Sequence, residues 1–377
     1  MIQRLFNTSV VLGLSVGAAV AAENAPAPRV EKIDLPTALR LAGAQNVDVQ
    51  IAKERVSEAR AQHESARLQY FPWLTTGAGY RRHDGQIQAV DGAMLDTSKQ
   101  SYNVGGTITA QLDLGEAIYK SLAARQLADA AGQGLRARQQ DAVLNAASRY
   151  FELSEAQAAI AVATESVHLS EEYLRQVEQA ASAGIAFKGD VLRVRVQAER
   201  NRQSLEAARS EQRVAAARLA QVLKLDLLVV LEAVDIAPVP VKLAPDNAAL
   251  DSLVVRALAT RPEMLESHHV ETASMKAQDA ATRGPLIPTI GAQAFVGGLG
   301  GGYNNSWGNF SDSEDYFLGL TWRIGPGGLF DRTRIRATEA RRKTSELQTV
   351  RLRDQIVAEV VEQHTRTQSL ETRMKQS

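Results

Sequence analysis

Residues 153–222 read LSEAQAAIAVATESVHLSEEYLRQVEQAASAGIAFKGDVLRVRVQAERNRQSLEAARSEQRVAAARLAQV. An alternating three-and-four spacing picks out Leu153, Ala156, Ile160, Ala163, Val167, Ser170, Leu174, Val177 and Ala181. It breaks near Gly184 and Gly189, then resumes as Val191, Val194, Ala198, Asn201, Leu205, Ala208, Gln212, Ala215, Leu219 and Val222. Sustained heptads predict a coiled coil, and alanines on the seam let the helices approach closely. If Gly115 to Ala183 is one helix, it is about 100 Å long at 1.5 Å per residue, so the chain is tubular or rod-like.

The rest of the composition agrees. The chain has 377 residues, 43 Lys+Arg against 43 Asp+Glu, no Cys, 45% hydrophobic residues and 5% aromatics. Zero net charge gives no global attraction for phosphate backbones, which argues against a nucleic-acid partner. A chain without cysteine carries no disulfide, thiolate metal site, Cys nucleophile or Cys-linked lipid. Plentiful Ala, Arg, Gln and Glu beside scarce Phe, Tyr and Trp is the composition of long helices.

Arg4, the apolar run Leu5 to Val20 and Ala19-Val20-Ala21 predict a secretory signal peptide over 1–22. No later stretch reaches about 18 apolar residues, so no other helix is expected to span a bilayer. Self-comparison then finds a duplication. TALRLA at 37–42, Asn46-Val47-Asp48, a helix to Ala66-Arg67 and Tyr70-Phe71-Pro72-Trp73-Leu74 match SLVVRALA at 252–259, Arg261-Pro262-Glu263, a helix to Thr282-Arg283 and Leu286-Ile287-Pro288-Thr289-Ile290. Pro238, Pro240 and Pro245 mark a linker. The expected plan is a first repeat over 23–236 (helix, two strands, long helical hairpin), a linker at 237–248, and a second repeat over 249–377.

Four runs have the period of two of strands, at 74–82, 102–112, 289–297 and 316–324. Tyr102, Val104, Ile108 and Leu112 alternate with Asn103, Gly105, Thr107, Thr109 and Gln111, and Leu318, Leu320, Trp322 and Ile324 with Phe317, Gly319, Thr321 and Arg323. About ten residues is what a tilted strand needs to cross a bilayer, although alternation alone fits a half-buried strand of a soluble sheet equally well. Arg81 to Ser101 and Gly297 to Asp315 read as exposed polar loops. The glycines Gly297 to Gly302 are read as a flexible loop, since no Lys-Ser or Lys-Thr follows to make a phosphate cradle.

Together these parts resemble the TolC-like outer-membrane efflux protein family. The residues that carry the resemblance are Thr37-Ala38-Leu39 with Asn46-Val47-Asp48, Ala66-Arg67 to Phe71-Pro72, and Ala183-Gly184-Ile185-Ala186-Phe187-Lys188-Gly189-Asp190-Val191-Leu192. In the second half they are Arg261-Pro262-Glu263, Ala281 to Pro288 and Leu329-Phe330-Asp331. The fold class implied is mainly α with a small β part: duplicated halves, long periplasmic coiled-coil helices, and four strands per chain in a shared twelve-stranded barrel of a homotrimer. Four strands leave open edges in lipid, and closed bacterial barrels need at least about eight. Physics therefore demands an oligomer, while the number three comes from the resemblance.

The implied function is the outer-membrane channel of a tripartite efflux or type I secretion system in a Gram-negative bacterium. It would passively conduct substrates from an inner-membrane pump through a periplasmic adaptor. By the resemblance, Gly184, Ile185 and Ala186 face the adaptor, Asp190 closes the periplasmic entrance, and Tyr102, Val104, Ile108, Leu112, Leu318, Leu320 and Trp322 face lipid. Tyr102 and Trp322 are expected near the aromatic girdles. Asp190 also suits a plain helix cap, since an acid in a first turn is stabilised by free N–H groups and the macrodipole.

Compared with the family, Leu329 to Ser377 is shorter than Gly115 to Gly184, so the second helical turn and returning helix are expected to be missing, by fragmentation or truncation. The alternative from another class is a soluble periplasmic coiled-coil scaffold or adaptor. An enzyme is not expected, nor a cofactor or metal. His63, His83, His168, His268, His269 and His364 are scattered and read as solvated helix-surface side chains, and Glu171-Glu172 and Glu54 with Glu58 as exposed helix faces. The transported substrate is not legible.

Overall fold

Asp34 starts the first helix, α1 (Leu35–Gln45), by accepting a hydrogen bond from the Thr37 amide at 3.0 Å, with Pro36 in the first turn. Asn46 both ends α1 and opens α2 (Val47–Leu68): its Oδ1 accepts from the amides of Asp48 at 2.9 Å and Val49 at 3.4 Å. The second half solves the same break differently. Between α5 (Leu250–Thr260) and α6 (Pro262–Thr282), Pro262 opens the new helix, its fixed φ suiting a position whose N–H has no helical acceptor.

The computed structural model describes residues 30–376, apart from 72, 228, 235–248 and 304–306. The expected signal peptide, the linker with Pro238, Pro240 and Pro245, and Pro72 at the first helix exit lie outside the described residues. Elsewhere the order helix, helix, strand, strand, long helix occurs twice.

The heptad stretch forms the expected hairpin. The helix α3 (Leu114–Ser182) has 69 residues and α4 (Lys188–Leu223) has 36. Every seam position named from the sequence is buried or half-buried, with Leu153 and Leu219 fully so. Arg195–Glu178 at 2.7 Å and Arg202–Glu171 at 2.8 Å bridge the helices at the solvent edge, and Asn201 donates to the Ser166 carbonyl at 3.2 Å. Exposed pairs of this kind contribute little each, so apolar burial holds the hairpin. Helices α2 and α6 pack along α3, and α7 (Arg332–Gln376) along α6.

Unforeseen is a small parallel sheet of β1 (Val30–Ile33) and β4 (Val230–Ala233). Four residues are too few to display a period. This sheet roofs the main core, where Tyr150, Leu153, Leu219, Leu223 and Leu231 pack against Ala38 and Ala42 of α1.

The other strands form one antiparallel sheet in the order β2 (Trp73–Gln88), β3 (Met94–Asp113), β5 (Thr289–Tyr303), β6 (Ser311–Thr321). The sequence reading needs correction here. The first three strands run well beyond the expected ends, because the hydrogen-bond ladder continues where side chains turn polar. Within the expected loop from Arg81 to Ser101, only residues 89–93 form the turn, with the Ala89 amide donating to the Ala93 carbonyl and Gly92 at φ +90°. The glycines Gly297 to Gly302 are not a loop but part of β5. Glycine is required there: a Cβ at Gly297 or Gly105 would strike the facing backbone, while Tyr102 and Phe310 lie over Gly300 and Gly298.

Candidate channel wall and helical tip

Cross-strand pairing fixes which side chains share a face. Tyr102 faces Tyr80 and Gly300, Val104 faces Ala78 and Gly298, and Ile108 faces Leu74 and Ala294. Leu112 faces Ile290, which faces Leu320; Ala292 faces Leu318. Six of the residues expected to meet lipid therefore lie on one continuous apolar face, where Leu318 is 78% and Val104 52% exposed. Trp322 stands one residue beyond the end of β6 instead of inside a strand, and its indole N–H donates to the Leu286 carbonyl at 3.4 Å. Ile324, expected to close that strand, bridges to Leu329. The opposite face carries Thr75, Asn103, Thr107, Thr109, Gln111 and Gln293, with Phe295 and Phe317.

At one end of the apolar face the rings of Tyr80, Tyr102, Trp307 and Phe310 gather. Tyr80 stacks on Trp307 at 5.5 Å and Tyr102 on Phe310 at 5.7 Å. The Tyr102 hydroxyl donates to the Trp307 carbonyl at 2.6 Å.

The far end of the α3–α4 hairpin is a tight turn. Gly184 has φ +78°; its amide donates to the Ala181 carbonyl at 3.1 Å, and the Ile185 amide to the Ala180 carbonyl at 2.8 Å. This Schellman arrangement needs a left-handed residue, and nothing lies within 4 Å of a Cβ placed at Gly184. Ile185 and Phe187 are each 82% exposed, while Ala186 is half-buried. Phe187 is as exposed as Ile185, although the sequence reading assigns only Gly184, Ile185 and Ala186 to the tip.

Asp190 lies in the first turn of α4, where Phe187 is the cap residue and no side chain caps the helix. Asp190 keeps the first-turn place in which the macrodipole favours an acid, but its carboxylate is not seen to accept from a backbone amide. Its carboxylate pairs instead with Arg193 at 3.4 Å, one turn along the same helix.

Where sheet meets helices, Gly115 of α3 presses on the Gly284 backbone so closely that neither chain leaves space for a Cβ on Gly115. Beside it Glu116 takes Lys120 at 2.9 Å and Arg334 of α7 at 3.3 Å. Burial pushes its carboxyl pKa up, but these cations outweigh it and hold the group below its ordinary range. Asp331 caps α7, accepting from the Arg334 amide at 3.0 Å and the Gly327 amide at 2.8 Å. On α6, Glu266 is shifted the other way, upward, chiefly by burial.

The histidine reading holds only in part. His83 lies in β2 with a buried Nε2, and His269 is half-buried with Nδ1 2.9 Å from Gln126 Oε1. Among the described residues no group of three His, Asp or Glu side chains could hold a metal, and no helix is long and apolar enough to cross a membrane.

A model of the family described as outer membrane efflux protein matches residues 38–223, from α1 to the end of α4. That match covers just under half of the chain. Efflux proteins of this family are channel proteins of the outer membrane rather than enzymes, and the outer membrane is where this one belongs. A search of curated protein sequences returned no match. Among solved structures, the outer membrane protein VceC of Vibrio cholerae superposes with a TM-score of 0.73 at 15% identity, over 91% of this chain and 80% of that one. The CmeC outer membrane channel of Campylobacter jejuni gives 0.69 at 17%, over 91% and 74%. The open state of the MtrE outer membrane channel of Neisseria gonorrhoeae gives 0.66 at 19%, over 93% and 76%. These likenesses establish the shared fold: long helices joined to a small sheet.

Proposed function

We propose that this efflux protein is one protomer of a homotrimeric channel, a passive conduit for substrates delivered by an inner-membrane pump through a periplasmic adaptor. The observation that carries this reading is the four-stranded sheet. One face is apolar and exposed, the other carries Thr, Asn and Gln beside Phe295 and Phe317, and among the described residues neither edge strand, β2 nor β6, is paired on its outer side. In lipid such edges must be satisfied, and closure with the sheets of further copies does so. The apolar face then meets lipid through Tyr102, Val104, Ile108, Leu112, Leu318 and Leu320, with Trp322 at the periplasmic boundary. The polar face lines the pore, and the helices extend into the periplasm. A soluble scaffold would leave that apolar face in water. Cell fractionation tests the reading: the full-length protein should sediment with heat-modifiable outer-membrane material and conduct ions in planar bilayers. Recovery in the soluble periplasm would overturn it.

The tip at Gly184, Ile185 and Ala186, with Phe187 beside it, is the proposed adaptor contact, because the apolar side chains of Ile185 and Phe187 are each 82% exposed there. Gly184→Trp should abolish crosslinking to the adaptor while the barrel still assembles. Asp190 is the proposed periplasmic gate. Asp190→Ala should raise single-channel conductance and weaken block by multivalent cations, whereas loss of a first-turn acid alone would lower only the melting temperature. Unchanged conductance and block would remove it from the gate.

A further inference from the structure

The register of the β2–β3 hairpin sorts its charges by face. On the side continuous with the apolar face, Arg82 pairs with Asp84 at 2.6 Å and Ser98 donates to the same carboxylate at 2.5 Å, so charge is neutralised internally. On the opposite side stand Arg81, His83 and Lys99, with His83 directly across from Lys99. Arg81 and Lys99 form no ion pair among the described residues, and the buried Nε2 of His83 has no hydrogen-bond partner. From the Thr107–Phe295–Asp315 row outward, no further described strand residue on that side is Asp or Glu.

Arg81 and Lys99, diagonal neighbours on this face, are like charges whose fields add, and an anion between them relieves their repulsion. The hairpin could have mixed its signs on both faces, as the Arg82–Asp84 pair shows. We infer that the pore-side face of this outer hairpin, built on Arg81, His83 and Lys99, is a binding surface for anionic solutes at the channel's outer mouth. The inference rests on the barrel reading above, because closure repeats Arg81 and Lys99 around one opening and so concentrates their field.

The full-length protein in detergent is titrated with a trisulfonated pyrene dye, and the same preparation is placed in planar bilayers under a KCl gradient. Arg81→Glu/Lys99→Glu should weaken dye binding about tenfold and lower the chloride-to-potassium permeability ratio severalfold. Arg81→Gln/Lys99→Gln should fall between, and Arg82→Gln/Asp84→Asn, on the other face, should leave both quantities unchanged. Equal dye affinity in all four proteins overturns the inference even if every one conducts. Face-dependent dye binding by a chain that never conducts upholds the basic surface and overturns the conduit instead.

Discussion

Helices α1 and α5 occupy equivalent places in the two halves, and their sequences, LPTALRLAGAQ and LDSLVVRALAT, are similarly apolar. Yet α1 buries Ala38 and Ala42 completely, whereas α5 buries nothing and leaves Val255 67% exposed. The difference lies in what covers them. Helix α1 is sandwiched among α3, α4 and the β1–β4 sheet, while α5 rests only on α6 and α7 among the described elements. An amphipathic stripe therefore specifies a helix and its orientation, but burial depends on a partner that other parts of the sequence supply.

The contrast is broken most severely inside the first half. Tyr150→Ala should cost about 3–5 kcal/mol, the range for emptying a fully buried aromatic site, and lower the circular-dichroism melting temperature accordingly. At the joint between the halves, Gly115→Ala should cost about 1–3 kcal/mol and reduce heat-modifiable oligomer, because its methyl would run into the Gly284 carbonyl. Gly284→Ala should do less, since the nearest atom to its new Cβ is the Gly115 carbonyl carbon at 3.3 Å. Val255→Ala on α5 should change the melt by no more than about 0.5 kcal/mol in the detergent-solubilised single chain. A loss there as large as at Tyr150 would show that the two halves are equally buried.

Acid should sharpen the comparison. Glu116 is held below its ordinary 4.5 by Lys120 and Arg334 despite its burial, so its stabilising contribution is present above that value and is lost as pH falls through the depressed one. Glu266 is raised above 4.5, chiefly by burial, so its contribution is fully present below 4.5 and is lost as pH rises through the raised value. Melts recorded across the acid range should show Glu116→Gln removing part of the acid loss. Glu266→Gln should stabilise the chain at neutral pH and leave the acid limb unchanged.

Much of this was legible. The seam from Leu153 to Val222 was, because coiled-coil periodicity is local and long. So was the shared face of Val104, Ile108 and Leu318, because strand alternation survives any register that keeps parity. Strand length was not, since Arg81 to Gln88 and Gly297 to Tyr303 pair through backbone groups that leave no mark on composition. The β1–β4 sheet joins segments about 200 residues apart and too short to signal a period. The first-turn place of Asp190 was legible, but its pairing with Arg193 one turn along was not, because it depends on side-chain geometry.

The unpaired outer edges of β2 and β6 also set the kinetics of biogenesis. If the sheet closes with further copies as proposed, a chain whose described sheet edges lie open finishes folding only on meeting them, and its final step is a collision between partly folded copies. Its rate must rise with a power of chain concentration equal to the number of copies that meet before the slowest step. Dilution during refolding should therefore stall the sheet while leaving the α3–α4 hairpin to form at a constant rate, since its contacts lie within one molecule.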